Sequence, residues 1–186
     1  MYFKNWNPPK NDDFRTLVAV GNNVSASFGC SFTEGVGVEA DQTWSFLLGV
    51  ANCGLNGASN DLICRTAIEY SITYIPKEIF VMWTFANRRE YIDQTNTSLK
   101  FKAYDPGSEQ YAWHSANLEL SNDYNDDYNF VKNKMFLENF CNANNIAIHQ
   151  TTVNIFENDQ CGTDAQHPGV EWHAKVFEYF DKNRLQ

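Results

Sequence analysis

Three residues of this sequence have the types and the spacing that nucleophilic catalysis requires. Ser31 lies in GCSFTEG (29–35), a segment with a glycine at each end, and DAQHPG places Asp164 three residues before His167. A serine hydroxyl becomes a nucleophile when a neighbouring base takes its proton, and that base needs an orienting carboxylate. On a loop or a first helical turn, this spacing lets the carboxylate of Asp164 reach Nδ1 of His167 while Nε2 faces outward.

The elements around these residues alternate between strand and helix patterns. Apolar or alternating runs predict strands, and helical spacing with capping signals predicts helices. The predicted strands are 16–20, 23–30, 79–83 and 146–153, and the predicted helices are 41–51, 59–75, 126–145 and 167–180. On the helix 59–75, one face is expected to carry Leu62, Ile63, Ala67, Ile68 and Ile72.

This alternation indicates an α/β fold with a mostly parallel sheet. Ligands of such sheets bind outside the carboxyl ends of the strands. The segments 29–35, 54–60 and 84–88 all follow expected strands, so we expect them to gather at one edge of the sheet.

Length and composition limit the fold and the functions that this chain can have. A chain of 186 residues with 43% hydrophobic residues is long enough for one domain with one core. We expect a single domain over 1–186, with 1–14 as a terminal arm and 88–125 as an insertion. A formal net charge of −9 argues against a nucleic-acid partner, because phosphate binding needs clustered Lys and Arg.

Cysteine usage and hydropathy predict the compartment. The five cysteines are an odd number without a CxxC spacing, so neither a zinc site nor a fully paired disulfide framework is expected, although a single bridge stays open. The amino terminus has no apolar core of a signal peptide, and no stretch is long enough for a membrane span. We therefore expect a soluble, cytoplasmic protein without a metal or membrane partner.

Three short motifs resemble blocks of the SGNH (GDSL-type) esterase and lipase superfamily. GCSFTEG is similar to the first block, Gly-Asp-Ser-x-Ser/Thr-x-Gly, which carries the nucleophile. NCGLNGASN (52–60) is similar to the second block, whose last glycine, here Gly57, lends its N–H to the oxyanion hole. DAQHP resembles the fifth block, which supplies Asp164 and His167. The resemblance implies a flavodoxin-like α/β/α sandwich with a mostly parallel five-stranded sheet.

The sequence departs from this family at two places. Cys30 stands where the family has aspartate before the serine. The third block, Gly-x-Asn-Asp, is replaced by TFANRRE, where Asn87 is the asparagine available as an oxyanion donor, about one residue out of register. Arg88 or Arg89 replaces the acidic residue and would supply positive charge near a substrate.

The resemblance implies a serine hydrolase that cleaves small ester or O-acetyl groups without a cofactor, on a small-molecule or carbohydrate substrate. Ser31, His167 and Asp164 would form the triad, and the N–H groups of Ser31 and Gly57 with the Asn87 amide would form the oxyanion hole. Two alternatives stay open: a non-catalytic binding or assembly protein that keeps the fold, for example a phage component, and an acyltransferase acting on sugars. Nothing in the sequence indicates the oligomeric state.

Overall fold

The structure is a computed structural model that describes residues 14–92, 98–100, 122–156 and 161–184. Almost all of the expected arm (1–14) and most of the expected insertion (88–125) lie outside these residues. The described part contains six strands and five α-helices. The strands are β1 (Ala26–Gly29), β2 (Ala51–Gly54), β3 (Glu78–Trp83), β4 (Glu90–Ile92), β5 (Ser98–Lys100) and β6 (Ala147–Thr152). The helices are α1 (Ser31–Glu34), α2 (Trp44–Leu47), α3 (Asn60–Tyr74), α4 (Asp123–Ala143) and α5 (Val170–Arg184).

Four of these strands form one parallel sheet in the order β2-β1-β3-β6. The predicted α/β class is therefore confirmed, whereas five strands were expected and the described residues place four in this sheet. The short strands β4 and β5 pair separately and antiparallel to each other.

Side-chain contacts of the central strands show which helices share a face. Ser27 of β1 donates a hydrogen bond to Ser45 of α2 (2.7 Å), and its neighbour Phe28 packs against Tyr70 of α3. Because successive strand residues point to opposite faces, α2 and α3 lie on opposite sides of the sheet.

The strand β3 places the other two long helices in the same way. Phe80 is in register with Ser27 and contacts Phe180 of α5, whereas Trp83 on the opposite face contacts Phe130 of α4. The layers are thus α2 and α5, then the sheet, then α3 and α4, which is the expected α/β/α sandwich.

Two strand predictions were wrong. Residues 16–20 do not form a strand, because the Thr16 hydroxyl makes a local turn with Val18 and also accepts the N–H of Asn52. The strand β2 was missed: its residues were assigned to a helix end and a glycine-rich loop, yet all four are buried beside β1.

The strand order has a consequence for function. From β1 the chain crosses to β2 on one side, and after α3 it returns to β3 on the other side of β1. Such a reversal opens a crevice at the carboxyl ends of the two strands, here β1 and β3, and this is where α/β sheets bind ligands. Ser31 begins the helix that directly follows β1, one residue beyond Cys30.

Candidate active site

Ser31 is the first residue of a single-turn helix at the carboxyl end of β1. Cys30 has an extended backbone and serves as the cap, and α1 ends at Gly35, whose φ of 83° lies in the left-handed region that glycine adopts without strain. Ser31 itself is only 2% exposed. The small residues at both ends of the segment therefore permit a tight exit from the strand into the helix.

Two glycines let α1 pack directly on the ends of the strands. A Cβ atom on Gly54 would lie 2.3 Å from the backbone N of Glu34, and one on Gly29 would lie 2.0 Å from Oγ1 of Thr33. Neither approach is sterically possible with a larger residue unless α1 moves. Both glycines thus fix the height of Ser31 above the sheet.

Asn52 holds the carboxyl end of the same helix. Its buried carboxamide donates to the carbonyl of Thr33 (2.8 Å) and accepts the N–H of Gly54 (3.0 Å). The helix carbonyl, which has no partner within one turn, is thereby satisfied. This positioning role was missed at the sequence level, although Asn52 opens the quoted segment 52–60.

Asp164 and His167 form a hydrogen-bonded pair. The carboxylate accepts the backbone N–H groups of Gln166 (3.1 Å) and His167 (3.0 Å), and its second oxygen contacts Nδ1 of the His167 ring. These bonds, the backbone N–H of His167 first, lower the pKa of Asp164 from 3.8 to about 2. The carboxylate is therefore ionised at neutral pH, and it favours the tautomer in which Nε2 is free to accept a proton.

The loop that carries this pair packs against the loop after α1. The carbonyl of Gly37 accepts hydrogen bonds from the N–H (2.8 Å) and the hydroxyl (3.1 Å) of Thr163. The ring of His167 meets that of Phe32 edge to face, with centroids 5.9 Å apart. Phe32 adjoins Ser31 in the sequence, and no hydrogen bond joins Ser31 to His167 in the described residues.

Two backbone donors at this edge have no acceptor among the described residues. The loop after β2 is tied to β1 by the N–H of Leu55, which donates to the carbonyl of Gly29 (3.0 Å). Gly57 is buried in this loop with a φ of 71°. Among the described residues, neither the N–H of Gly57 nor that of Ser31 donates to a protein group, so both are available to a ligand.

The loop after β3 reaches the same edge through Asn60. The Asn60 carboxamide, fully buried, accepts the N–H of Thr84 (2.9 Å) and donates to its carbonyl (3.2 Å). Asn87 follows in the turn closed by Phe85 and Arg88, with its side chain exposed and without a hydrogen-bond partner in the described residues. The role of Asn60 was not predicted, since its partner is a backbone group 24 positions away.

No cluster of three or more His, Cys, Asp or Glu side chains suited to a metal ion occurs in the described ranges. All five cysteines are free thiols, and burial raises the pKa of Cys64 to about 12. Within the same ranges, none of the helices has the length and apolar character to cross a bilayer.

Comparison with solved structures gives 13 similar chains. No protein-family model matches the sequence, and a search of curated proteins also finds no match. One similar structure is a proposed lipolytic protein of the G-D-S-L family from Desulfitobacterium hafniense DCB-2, with 15% identity, a TM-score of 0.44, and coverage of 87% of this chain and 99% of that one. Another is a proposed acylhydrolase from Bacteroides fragilis NCTC 9343, with 15% identity, a TM-score of 0.40, and coverage of 97% and 90%.

Proposed function

We propose that this chain is a serine hydrolase that cleaves small ester or O-acetyl groups through an acyl-enzyme. One observation carries the proposal: the ionised Asp164 holds the His167 imidazole, and that imidazole packs against Phe32, the neighbour of Ser31. A carboxylate, an imidazole and a hydroxyl in this order are the parts of a catalytic triad. Ser31 follows β1, one of the two strands at the switch point of the sheet, where ligands of this fold class bind.

The mechanism follows from these roles. His167 Nε2 takes the proton of the Ser31 hydroxyl as its oxygen attacks the ester carbonyl, and Asp164 stabilises the imidazolium that forms. The free N–H groups of Ser31 and Gly57 receive the oxyanion, with the Asn87 amide as a third donor after a side-chain movement. The imidazolium then protonates the leaving alcohol, and water hydrolyses the acyl-enzyme by the same steps.

A second candidate function is a binding or assembly protein that keeps the fold. It is favoured by the small exposure of Ser31 and by the lack of a hydrogen bond between Ser31 and His167. Catalytic hydrogen bonds in ligand-free enzymes are often long and tighten on substrate binding, so we give this function second place. Acyl transfer to a sugar would use the same residues with another acceptor.

Labelling with a fluorophosphonate tests the proposal. We expect a single adduct, mapped to Ser31 by peptide mass spectrometry, that is absent in Ser31→Ala and strongly reduced in His167→Ala. The matched control is His149→Ala, because His149 pairs with Glu78 at the far end of β3 (3.3 Å). No adduct on a folded protein would favour the binding function, and product analysis with sugar acceptors would separate transferase from hydrolase.

A further inference from the structure

We propose that Arg88 binds an anionic group of the substrate, so that the preferred esters carry a carboxylate or phosphate a short distance from the scissile carbonyl. This inference rests on the proposed function and extends its site. The sequence alone does not decide whether Arg88 or Arg89 supplies positive charge near the substrate, and the inference assigns that role to Arg88.

The position of the Arg88 guanidinium is the first argument. Its Nη1 donates to Oγ1 of Thr84 (3.0 Å) and to the carbonyl of Ala58 (3.5 Å). Thr84 directly follows β3, and Ala58 directly follows Gly57, the proposed oxyanion donor. The guanidinium therefore bridges the loops after β2 and β3, and one of its two acceptors belongs to the residue that follows the proposed oxyanion donor.

The charges of the other arginines are the second argument. Arg65 binds the carboxylates of Glu69 (3.0 Å) and Glu90 (2.6 Å), Arg89 binds Asp126 (2.5 Å) and Arg184 binds Glu78 (2.5 Å). In the described part of the chain, Arg88 has no carboxylate at ion-pair distance. Arg15 also lacks one, but it uses both terminal nitrogens on the carbonyls of Gly35 and Val38.

The donors that Arg88 leaves free match a carboxylate or phosphate. Both of its protein hydrogen bonds use Nη1, so Nε and Nη2 have no protein acceptor among the described residues. These two nitrogens form one edge of the planar guanidinium, and such an edge binds two oxygens of an anion with parallel hydrogen bonds. The side chain is half-buried, which leaves it accessible while limiting the competition from water.

Two neighbouring features add to the attraction and indicate the size of the ligand. Arg88 stands at the amino-terminal end of α3, a 15-residue helix whose dipole favours anions there. The guanidinium also stacks on the Phe85 ring (5.1 Å to its centroid), and Phe85 contacts Phe32 (6.4 Å between centroids). A short apolar spacer along these rings, ending in an anion at Arg88, fits a half-ester of a small dicarboxylic acid or a phosphorylated ester.

The test compares an anionic ester with its neutral analogue. Binding of monomethyl succinate and of dimethyl succinate to the Ser31→Ala protein is measured by titration calorimetry, with methyl phosphonoacetate as the phosphorus arm. We expect the anions to bind about tenfold or more tightly than dimethyl succinate. We expect Arg88→Gln to remove that preference, and Arg88→Lys to restore part of it.

Arg184→Gln is the control, since it removes the same charge from an exposed arginine that pairs with Glu78. Equal affinities for the anionic and neutral esters, or an unchanged preference in folded Arg88→Gln, would overturn the inference. Because Ser31→Ala cannot turn over, this readout is independent of catalysis. If anions bind through Arg88 but Ser31 is not labelled, the anion site stands and the hydrolase function is rejected. If Ser31 is labelled but anionic esters are not preferred, the hydrolase function stands and the anion site is rejected.

Discussion

At the scale of the residue, the candidate chemistry depends on how Asp164 holds one imidazole. The carboxylate accepts three hydrogen bonds from its own loop, two from backbone N–H groups and one from Nδ1 of His167. Its pKa of about 2 means that it stays charged across the pH range of most enzymes. If the rate of the reaction falls as the pH is lowered toward 4, the group whose protonation causes the fall is therefore not Asp164.

Asp164→Asn should lower the rate of Ser31 labelling without unfolding the protein. An amide keeps the acceptor for the backbone N–H groups, but it loses the charge and can present an N–H to Nδ1, which favours the wrong imidazole tautomer. The same exchange in a serine protease costs about 10⁴ in kcat, and we expect a loss of about 10²–10⁴ in the labelling rate here.

Time-resolved intact-mass spectrometry measures this rate. Asp181→Asn is the control, because Asp181 is an exposed residue near the end of α5. A rate for Asp164→Asn within twofold of the native protein would mean that the carboxylate does not orient a catalytic base.

Residues with local partners could be predicted from the sequence, and residues with distant backbone partners could not. The contact between Asp164 and His167 follows from a spacing of three, which any tight loop can satisfy. Asn52 and Asn60 bind backbone groups of Thr33 and Thr84, which reach them only when the sheet is assembled. No pattern along the chain distinguishes such an asparagine from one in a turn.

At the scale of the element, the position of the nucleophile depends on the packing of α1 against β2. A helix of four residues has too few internal hydrogen bonds to be stable alone. It is held by a hydrogen bond from the Asn52 carboxamide and by close contact with Gly54, where the backbones of β2 and α1 approach each other too closely for a Cβ atom.

Gly54→Ala should therefore destabilise the fold and displace Ser31. The added methyl would lie 2.3 Å from the backbone N of Glu34 and 2.7 Å from the carbonyl carbon of Thr33, and backbone atoms cannot move aside as a flexible side chain can. Overpacking of this kind typically costs about 1–3 kcal/mol of unfolding free energy. Urea denaturation measures the stability, and the labelling rate reports the displacement.

Gly21→Ala is the matched control, because a Cβ there would meet Val24 at an ordinary 3.8 Å and the backbone needs no left-handed conformation. We expect its stability to stay within about 0.5 kcal/mol of the native value. If Gly54→Ala were equally neutral, α1 would have to be free to move away from β2, and the account of how Ser31 is positioned would fail.

Element predictions succeeded where the pattern reflects burial on the sheet. The runs that became β3 and β6 were predicted to within one residue at each end. The central strand β3 is almost continuously apolar, as buried parallel strands are, whereas β6 is a partly buried edge strand. The strand β2 reads Ala-Asn-Cys-Gly, whose small and polar residues resemble a loop until α1 covers them. On α3, Ile72 was predicted to lie on the buried face, but it is 61% exposed. The buried face of this helix carries Cys64 and Tyr70 instead.

At the scale of the whole molecule, a buried histidine of α5 forms a hydrogen bond to the start of α2 and so links the two helices of this layer. His173 is 0% exposed, and its Nδ1 accepts the N–H of Trp44 at the start of α2 (3.3 Å). Its Nε2 is buried without a hydrogen-bond partner among the described residues. Burial, and to a smaller extent the charge of Arg15, lowers the pKa of His173 from 6.5 to about 4.

The unfolding free energy should therefore fall as the pH drops from about 6.5 to about 4. The unfolded chain takes up a proton on this histidine near pH 6.5, whereas the folded protein resists it until about pH 4, so acid favours the unfolded state across that window. At about 1.4 kcal/mol per pH unit, the part of this loss that is due to His173 amounts to roughly 3 kcal/mol, and that part levels off below pH 4. Asp164, whose pKa is lowered from 3.8 to about 2, adds a separate loss that falls mostly below pH 4, because its carboxyl group takes up a proton in the unfolded chain first.

Comparison with His173→Asn isolates this contribution from those of other titrating groups. The asparagine amide can still accept the Trp44 N–H but takes up no proton, so the variant should be less stable than the native protein at pH 7 and lose its disadvantage as the pH approaches 4. Urea denaturation at half-unit steps between pH 4 and 7.5 gives the difference in unfolding free energy at each pH. A constant difference would show that His173 titrates alike in the folded and unfolded chains. The histidine would then be hydrated in the folded protein, and the tight packing of α5 on α2 would have to be revised.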